Sequence, residues 1–513
     1  MRGWFQSGCE LPIQYLRRIR RGYLEGRSPD IIAVPRAPNY FGGFTAYSHT
    51  GPWGYVQRVP LVLYGPGFIR SSGPTRLHRR ATVADLAPTI AELVGAPRPS
   101  GPGRPLWKAL VPASEREAAP KLVVTVVWDG GGWDVLKTWP GAWPNLATLM
   151  REGTSFRGAV VGSSPSVTPA VHATIGTGVW PRTHGIVDIS LRIGRDMRGA
   201  YAGMDPQHLV AETVADRWDR LTGNRSEVGM IAYKGWHLGM IGHGAAHPGG
   251  DRDVAVIIDR SGRLVTNTAW YSLPPYLHDV SGFARDVHQV DAADGRLDSK
   301  WMGHAMLDEQ RDLRHTPVWI LYQTRLIKAL LAREGFGADG VTDLFYTNFK
   351  QVDEVGHDWN MLATEVRDIV SYADRSLGDI RTWLDRRVGP RRWVLALTAD
   401  HGQTPDPFAV GAWPIHVEVL EEWIGKQFDV DPRELFDDER PLALWLDRAA
   451  LRARGLTAAQ IADRILRYRI RHEAELGKEV PPQYERRKGE RLFAAAFPGK
   501  RLEDVWRCAH GPR

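Results

Sequence analysis

Unbroken apolar runs closed by glycine, proline or an acid recur along the chain. They predict buried strands at IIAVP (31–35), VPLVLYG (59–65), the run from Leu122 to Trp128, DLFYTNF (343–349), WVLALTAD (393–400) and PLALWLD (441–447). The run that ends at Trp128 is apolar on both faces, as a central strand of a parallel sheet must be. Apolar residues at helical spacing predict helices over 11–25, 81–95, 364–389 and 457–470. The second of these contains Pro88 and ends at Gly95. Strands alternating with helices give an α/β class, with a mostly parallel central sheet flanked by helices.

The segment 96–120 is rich in proline, glycine and charge and reads as the linker region. The expected organisation is a first segment 1–113, a linker 114–120, a core 121–416 with a cap insertion near 205–335, and a small α+β subdomain 417–513. Within 205–335 the pattern gives a helix, a mixed stretch rich in His and Trp, and a second helix. No internal repeat is visible.

Composition adds limits. The 513 residues are 43% hydrophobic and carry a net charge of +7 from 66 basic and 59 acidic side chains. That mild excess suits anionic small molecules. It is not a nucleic-acid signature, because no dense Lys/Arg block alternates with aromatics. Two cysteines, Cys9 and Cys508, exclude a disulfide framework and a cysteine zinc site, and leave open a single bond between opposite ends of the chain. No apolar run approaches a membrane span, and the first residues lack the apolar core of a signal peptide, so the expected location is cytoplasmic.

Three predicted strands end in polar residues able to bind a metal. The first ends at Asp129, the second leads into QVDEVGHDW with Asp353 and His357, and the third ends in TADHGQ with Asp400 and His401. Ligands of open α/β sheets lie beyond the carboxyl ends of the strands. A mixture of carboxylate oxygen and imidazole nitrogen suits divalent cations. A fourth piece, SSPSVTPAVHATIGTGVWPRTHGI (163–186), sets Thr168 at a predicted helix start. There the hydroxyl is either a cap or a group facing a bound phosphate.

These pieces in order resemble the alkaline phosphatase superfamily, nearest its type I phosphodiesterase/nucleotide pyrophosphatase branch. Thr168, His172 and the His184-Gly185-Ile186 turn reproduce the family spacing, as do Asp353 with His357 and Asp400-His401-Gly402. The resemblance implies a metal-dependent phosphoester hydrolase with Thr168 as nucleophile, a phospho-threonine intermediate and two divalent ions, zinc being the expected metal. One ion would be held by Asp129, Asp400 and His401 with Thr168. The other would be held by Asp353, His357 and a further histidine. The family supplies that histidine late in its chain, ahead of a strand and a helix. Here YSHTGPWGYVQRVPLVLYGPG and TVADLAPTIAELVG, near the start, match that pattern. The expectation is therefore a circularly permuted order with His49 as the ligand. The rival is His510.

The match also departs from the family. The asparagine expected five residues after His184 is Ile189, flanked by Asp188 and Ser190, so a donor to a phosphoryl oxygen is missing or replaced. A loss of that kind costs roughly 3 kcal/mol of barrier. In IAYKGWHLGMIGHGAAH (231–247), Lys234 matches the lysine of the monoesterase relatives, whereas their arginine is Trp236. That pair favours a diester, with Lys234 as a candidate catalytic residue and Lys234, Trp236 and Ser190 as candidate substrate contacts. His237, His243 and His247 read as pocket or surface residues. The alternatives are a phosphomonoesterase and a catalytically degenerate binding protein of the same fold. The expected partner is a small phosphoester, and oligomeric state is left open.

Overall fold

The computed structural model describes residues 3–306 and 313–511. Its main sheet has nine strands, in the spatial order Leu264–Val265, Val254–Ile258, Val228–Tyr233, Asp343–Phe349, Leu122–Trp128, Trp393–Thr398, Leu61–Tyr64, Thr154–Phe156 and Gly73–Thr75. The strands from Val254–Ile258 to Trp393–Thr398 all run parallel. Leu61–Tyr64 pairs antiparallel with Trp393–Thr398.

The unbroken apolar runs arise because the sheet is covered on both faces. Along Leu122–Trp128, Val123 and Val127 enter one apolar layer, while Leu122, Val124, Val126 and Trp128 enter the other. Full burial of each such side chain is worth about 1.5–3 kcal/mol. Helices Leu86–Val94, Thr168–Thr177 and Val214–Thr222 line the first layer. Helices Pro317–Arg333 and Thr364–Arg387 line the second. In the latter helix Val366, Ile369, Ala373, Leu377, Ile380 and Leu384, spaced by three and four residues, form the buried stripe, with Val370 beside it.

Two local expectations change. The helix predicted over 81–95 begins instead as a 3-10 turn, Val83–Asp85, closed by a capping box between Thr82 and Asp85. The α-helix proper is Leu86–Val94, which places Pro88 in its first turn, where no backbone N–H is needed. The region 205–335 is more than an insertion. Its apolar runs VGMIAY and VAVII are strands of the main sheet, Val228–Tyr233 and Val254–Ile258.

A second, four-stranded antiparallel sheet has the order Phe436–Arg440, Ala443–Leu446, Ile31–Pro35, Phe493–Pro498. The predicted strand at 31–35 thus lies inside the small α+β unit built mainly from 417–511, so the first 113 residues serve both sheets. Cys9 and Cys508 form a disulfide with Cα atoms 5.5 Å apart, which brings the two ends of the chain together. Such bonds persist in oxidising compartments, which counts against the cytoplasmic expectation. Among the described residues no helix is long and apolar enough to cross a membrane.

Candidate metal centre and active site

The parallel strands Asp343–Phe349, Leu122–Trp128 and Trp393–Thr398 are immediate neighbours, so their carboxyl ends open onto one place. Asp129 follows the central strand, and its backbone N–H donates to the Phe349 carbonyl at 3.0 Å. Asp353 and His357 lie four residues apart on the helix Gln351–Trp359 and so share a face. Asp400 and His401 follow the third strand. The glycines after Asp129 let the two loops meet. Gly130 has φ +69°, and a Cβ there would stand 2.7 Å from the Gln403 amide. A Cβ on Gly132 would stand 2.5 Å from Gly402 Cα.

His49 Nε2 and His357 Nε2 each lie 3.4 Å from Asp353 Oδ1. The three ligand atoms of this trio lie within 4.8 Å of one another. His401 Nε2 lies 3.4 Å from Asp129 Oδ1 and 3.3 Å from Asp400 Oδ2. The rings of His49 and His401 stack at 3.4 Å. Backbone contacts aim the rings. His357 Nδ1 donates to the Tyr47 carbonyl and His401 Nδ1 to the Gly402 carbonyl, which turns both Nε2 atoms to the site. His510, the rival to His49, is exposed at the end of the last helix.

Thr168 is the first residue of the helix Thr168–Thr177, and the residue before it, Val167, offers no side-chain cap. The hydroxyl does not cap the helix either. Its Oγ1 accepts a hydrogen bond from Lys350 Nζ at 3.0 Å. His172, one turn on, donates from Nδ1 to the Thr168 carbonyl at 2.8 Å, and its Nε2 accepts from the Asn348 amide at 2.9 Å. The same amide donates to Asp129 Oδ2 at 3.0 Å.

Burial and close charges shift these groups. Burial drives Asp353 up, but His357 and Lys350 outweigh it and hold the carboxyl well below its usual range. Burial and the Asp129 charge push Asp400 up to about 7. Burial pulls His401 down, but Asp400, Asp353 and Asp129 carry it to about 9. Burial and neighbouring His401 hold His49 well below its ordinary value.

The donor set fits divalent cations. Asp353 Oδ1, Asp400 Oδ2 and His401 Nε2 are buried without a hydrogen-bond partner, and buried polar atoms in that state ask for a ligand. The trio of His49, Asp353 and His357 would hold one ion. Asp129, Asp400 and His401 would face the other beside Thr168.

The predicted substrate contacts spread further. Lys234 Nζ pairs with Glu354 Oε1 at 2.7 Å and lies 4.9 Å above the Trp236 ring. Ser190 Oγ accepts from Arg440 of the small subdomain at 2.9 Å. Ile189, Ser190, Tyr201, Trp236 and Arg440 line one open cavity of about 400 Å3. His237 is neither a pocket edge nor a surface residue. It is fully buried, both ring nitrogens lack partners, and its ring meets His172 at 4.5 Å. His243 and His247 pair with Asp216 and Glu212.

Sequence reasoning missed Lys350, Asn348, Glu354 and Arg440. Asn348 and Lys350 come just before the DEVGH motif and Glu354 is its second residue; a lysine just past a central strand end was the available signal. Arg440 comes from a remote strand, and nothing near it in sequence marks it.

The sequence model of the family described as Type I phosphodiesterase / nucleotide pyrophosphatase matches residues 123–511, and the chain belongs to that family. It is 26% identical over 338 residues to alkaline phosphatase PhoV of Synechococcus elongatus, covering 56% of this chain and 60% of that one. It is 25% identical over 349 residues to a calcium-transporting ATPase of Myroides odoratus, covering 58% and 62% respectively. With alkaline phosphatase PafA of Elizabethkingia meningoseptica it shares 22% identity over 403 residues, 68% of this chain and 72% of the relative. The chain thus spans only about three fifths of the first two relatives. The crystal structure of wild-type PafA superposes with a TM-score of 0.54 at 19% identity, over 74% of this chain and 84% of that one, and so shares its fold.

Proposed function

We propose that the chain hydrolyses phosphodiesters of the nucleotide pyrophosphatase kind, with Thr168 as nucleophile and two divalent ions, zinc in the first instance, as cofactors. The observation that carries this reading is the convergence of Thr168 with six metal-competent side chains, Asp129, Asp353, His357, Asp400, His401 and His49, at one end of the parallel strands. Bound divalent ions supply charge for the phosphoryl oxygens and favour ionised hydroxyls. The chain's own residues do the rest. Thr168 presents Oγ1 from a helix N-terminus, whose backbone N–H groups favour an incoming phosphoryl group. Oγ1, on losing its proton to solvent, would bond to phosphorus as the P–O bond to the leaving alcohol or phosphate breaks, leaving the remaining ester group on the phosphorus. Water would then attack that phosphorus, break the Oγ1–P bond, release a phosphomonoester and return a proton to Oγ1.

The Trp236 ring over Lys234, with Ile189 in place of an amide, supports a substrate bearing one charge on the reacting phosphorus and an aromatic or nucleoside portion. The relatives named alkaline phosphatase support the second reading, a monoesterase. Measured side by side, kcat/KM for a nitrophenyl diester should exceed that for the monoester. The reverse order would favour the phosphatase reading.

We also read the chain order as a circular permutation. It is supported by the loop carrying His49, the strand Leu61–Tyr64 and the helix Leu86–Val94, all of which lie against the core from the chain's start, and by the bonded ends.

A further inference from the structure

We propose that Lys350 is a resident cation of this centre, which holds the Thr168 hydroxyl and competes with one of the two divalent ions. The proposal rests on the two-ion reading above. Lys350 follows the strand Asp343–Phe349 and is only 2% exposed. Its ammonium donates to Asp129 Oδ1 at 2.8 Å and to Thr168 Oγ1 at 3.0 Å, and lies 2.5 Å from Asp353 Oδ2. Of the three groups around the ammonium, Asp129 and Thr168 accept its hydrogen bonds and Asp353 pairs with it by charge. Asp129 and Thr168 belong to the side of the site that Asp400 and His401 complete.

The two ion positions are therefore unequal. Asp353 divides its carboxylate, with Oδ1 facing His49 and His357 and Oδ2 facing Lys350. The His49 trio needs nothing moved. An ion between Asp129, Asp400 and His401 must share Asp129 Oδ1 with a buried positive charge or push it aside. Like charges at such distances, shielded from water, repel strongly. Lys350 also fixes the hydroxyl's direction, so it is a positioning residue for the nucleophile.

The test is metal binding, not turnover. The chelator-stripped protein is titrated with Zn2+ against a competing chelating dye, and bound metal is counted. The wild type should take its first ion at least roughly tenfold more tightly than its second, given close like charges. Lys350→Met should tighten the second step by roughly tenfold or more, and by more than it tightens the first, whose ligand Asp353 also pairs with Lys350. Lys350→Gln repeats the test with a neutral hydrogen-bonding side chain, should Lys350→Met fail to fold. Lys350→Arg keeps the charge and should bind the second ion no better than wild type. Two tight ions in the wild type, or neutral variants whose second step is unchanged or weaker, would overturn the proposal while leaving the two-ion reading standing. A wild type that binds no Zn2+ would overturn both.

Discussion

The imidazole of His49 stands 3.4 Å from the same Asp353 oxygen that His357 approaches at 3.4 Å, although His49 lies near the start of the chain and the other two follow a central strand. In the proposed centre His49 would therefore be a ligand on equal terms with His357. His49→Ala should weaken one zinc site by roughly a hundredfold or more, since a three-ligand site loses a large share of its binding free energy with one ligand. Equilibrium zinc titration checks this. His510→Ala should leave both sites unchanged.

Thr168 is buried, but among the described residues its hydroxyl is engaged by Lys350 alone, not by the helix it begins. Thr168→Ala should keep the fold and the metal content and lower turnover by at least about a thousandfold, as expected for removal of a nucleophile. Thr168→Ser should recover part of the loss. Circular dichroism, metal counting and steady-state kinetics on both variants read these outcomes.

Away from the centre, His243 Nδ1 lies 2.9 Å from Asp216 Oδ2, and the pair ties the segment after Lys234 to the helix Val214–Thr222. Burial lowers His243, but the bond to Asp216 raises it above 6.5, and burial raises Asp216, but His243 brings it below 3.8. The histidine's contribution to stability is fully present below its unfolded value and is lost as pH rises through its folded one. The aspartate's is present above its unfolded value and is lost as pH falls through its folded one. The difference in melting temperature between wild type and His243→Gln should therefore be largest near pH 5–6, between the two unfolded values. It should shrink towards pH 9. A difference that grows with pH would contradict the pairing.

The Cys9–Cys508 bond joins the helices Trp4–Cys9 and Leu502–His510 beside the small sheet. Cys9→Ser should cost about 2–4 kcal/mol of stability, mostly by freeing the unfolded chain, and leave turnover within about twofold. Thermal melts with and without reductant measure the loss. An intact mass that does not change on reduction would remove the bond from the account.

The central strands and their polar ends were legible because burial on both faces writes an unbroken apolar run, and a run must stop where the chain reaches the site. Asp129, Asp353, His357, Asp400 and His401 could be named on that ground, whereas the place of Thr168 before Pro169 left a helix cap open and only the family resemblance singled it out. Other features depend on pairings that leave no local trace. Ile31–Pro35 reads as a buried strand, yet nothing in it says that its partners are Ala443–Leu446 and Phe493–Pro498. Lys350 reads as an ordinary charged residue at a strand end until Asp129 and Thr168 are brought to it. The strands Val228–Tyr233 and Val254–Ile258 were hidden among the His- and Trp-rich turns between them.

The central claim is that Thr168 and the surrounding carboxylates and imidazoles form a divalent-metal phosphoesterase. The most direct measurement is hydrolysis of bis(4-nitrophenyl) phosphate by the protein before chelator treatment, after it, and after zinc is restored. The account predicts turnover that disappears on stripping, returns with about two zinc ions per chain, and fails to return in Thr168→Ala. Undiminished hydrolysis by the stripped protein, or none of either the diester or the 4-nitrophenyl monoester with both ions bound, would contradict it.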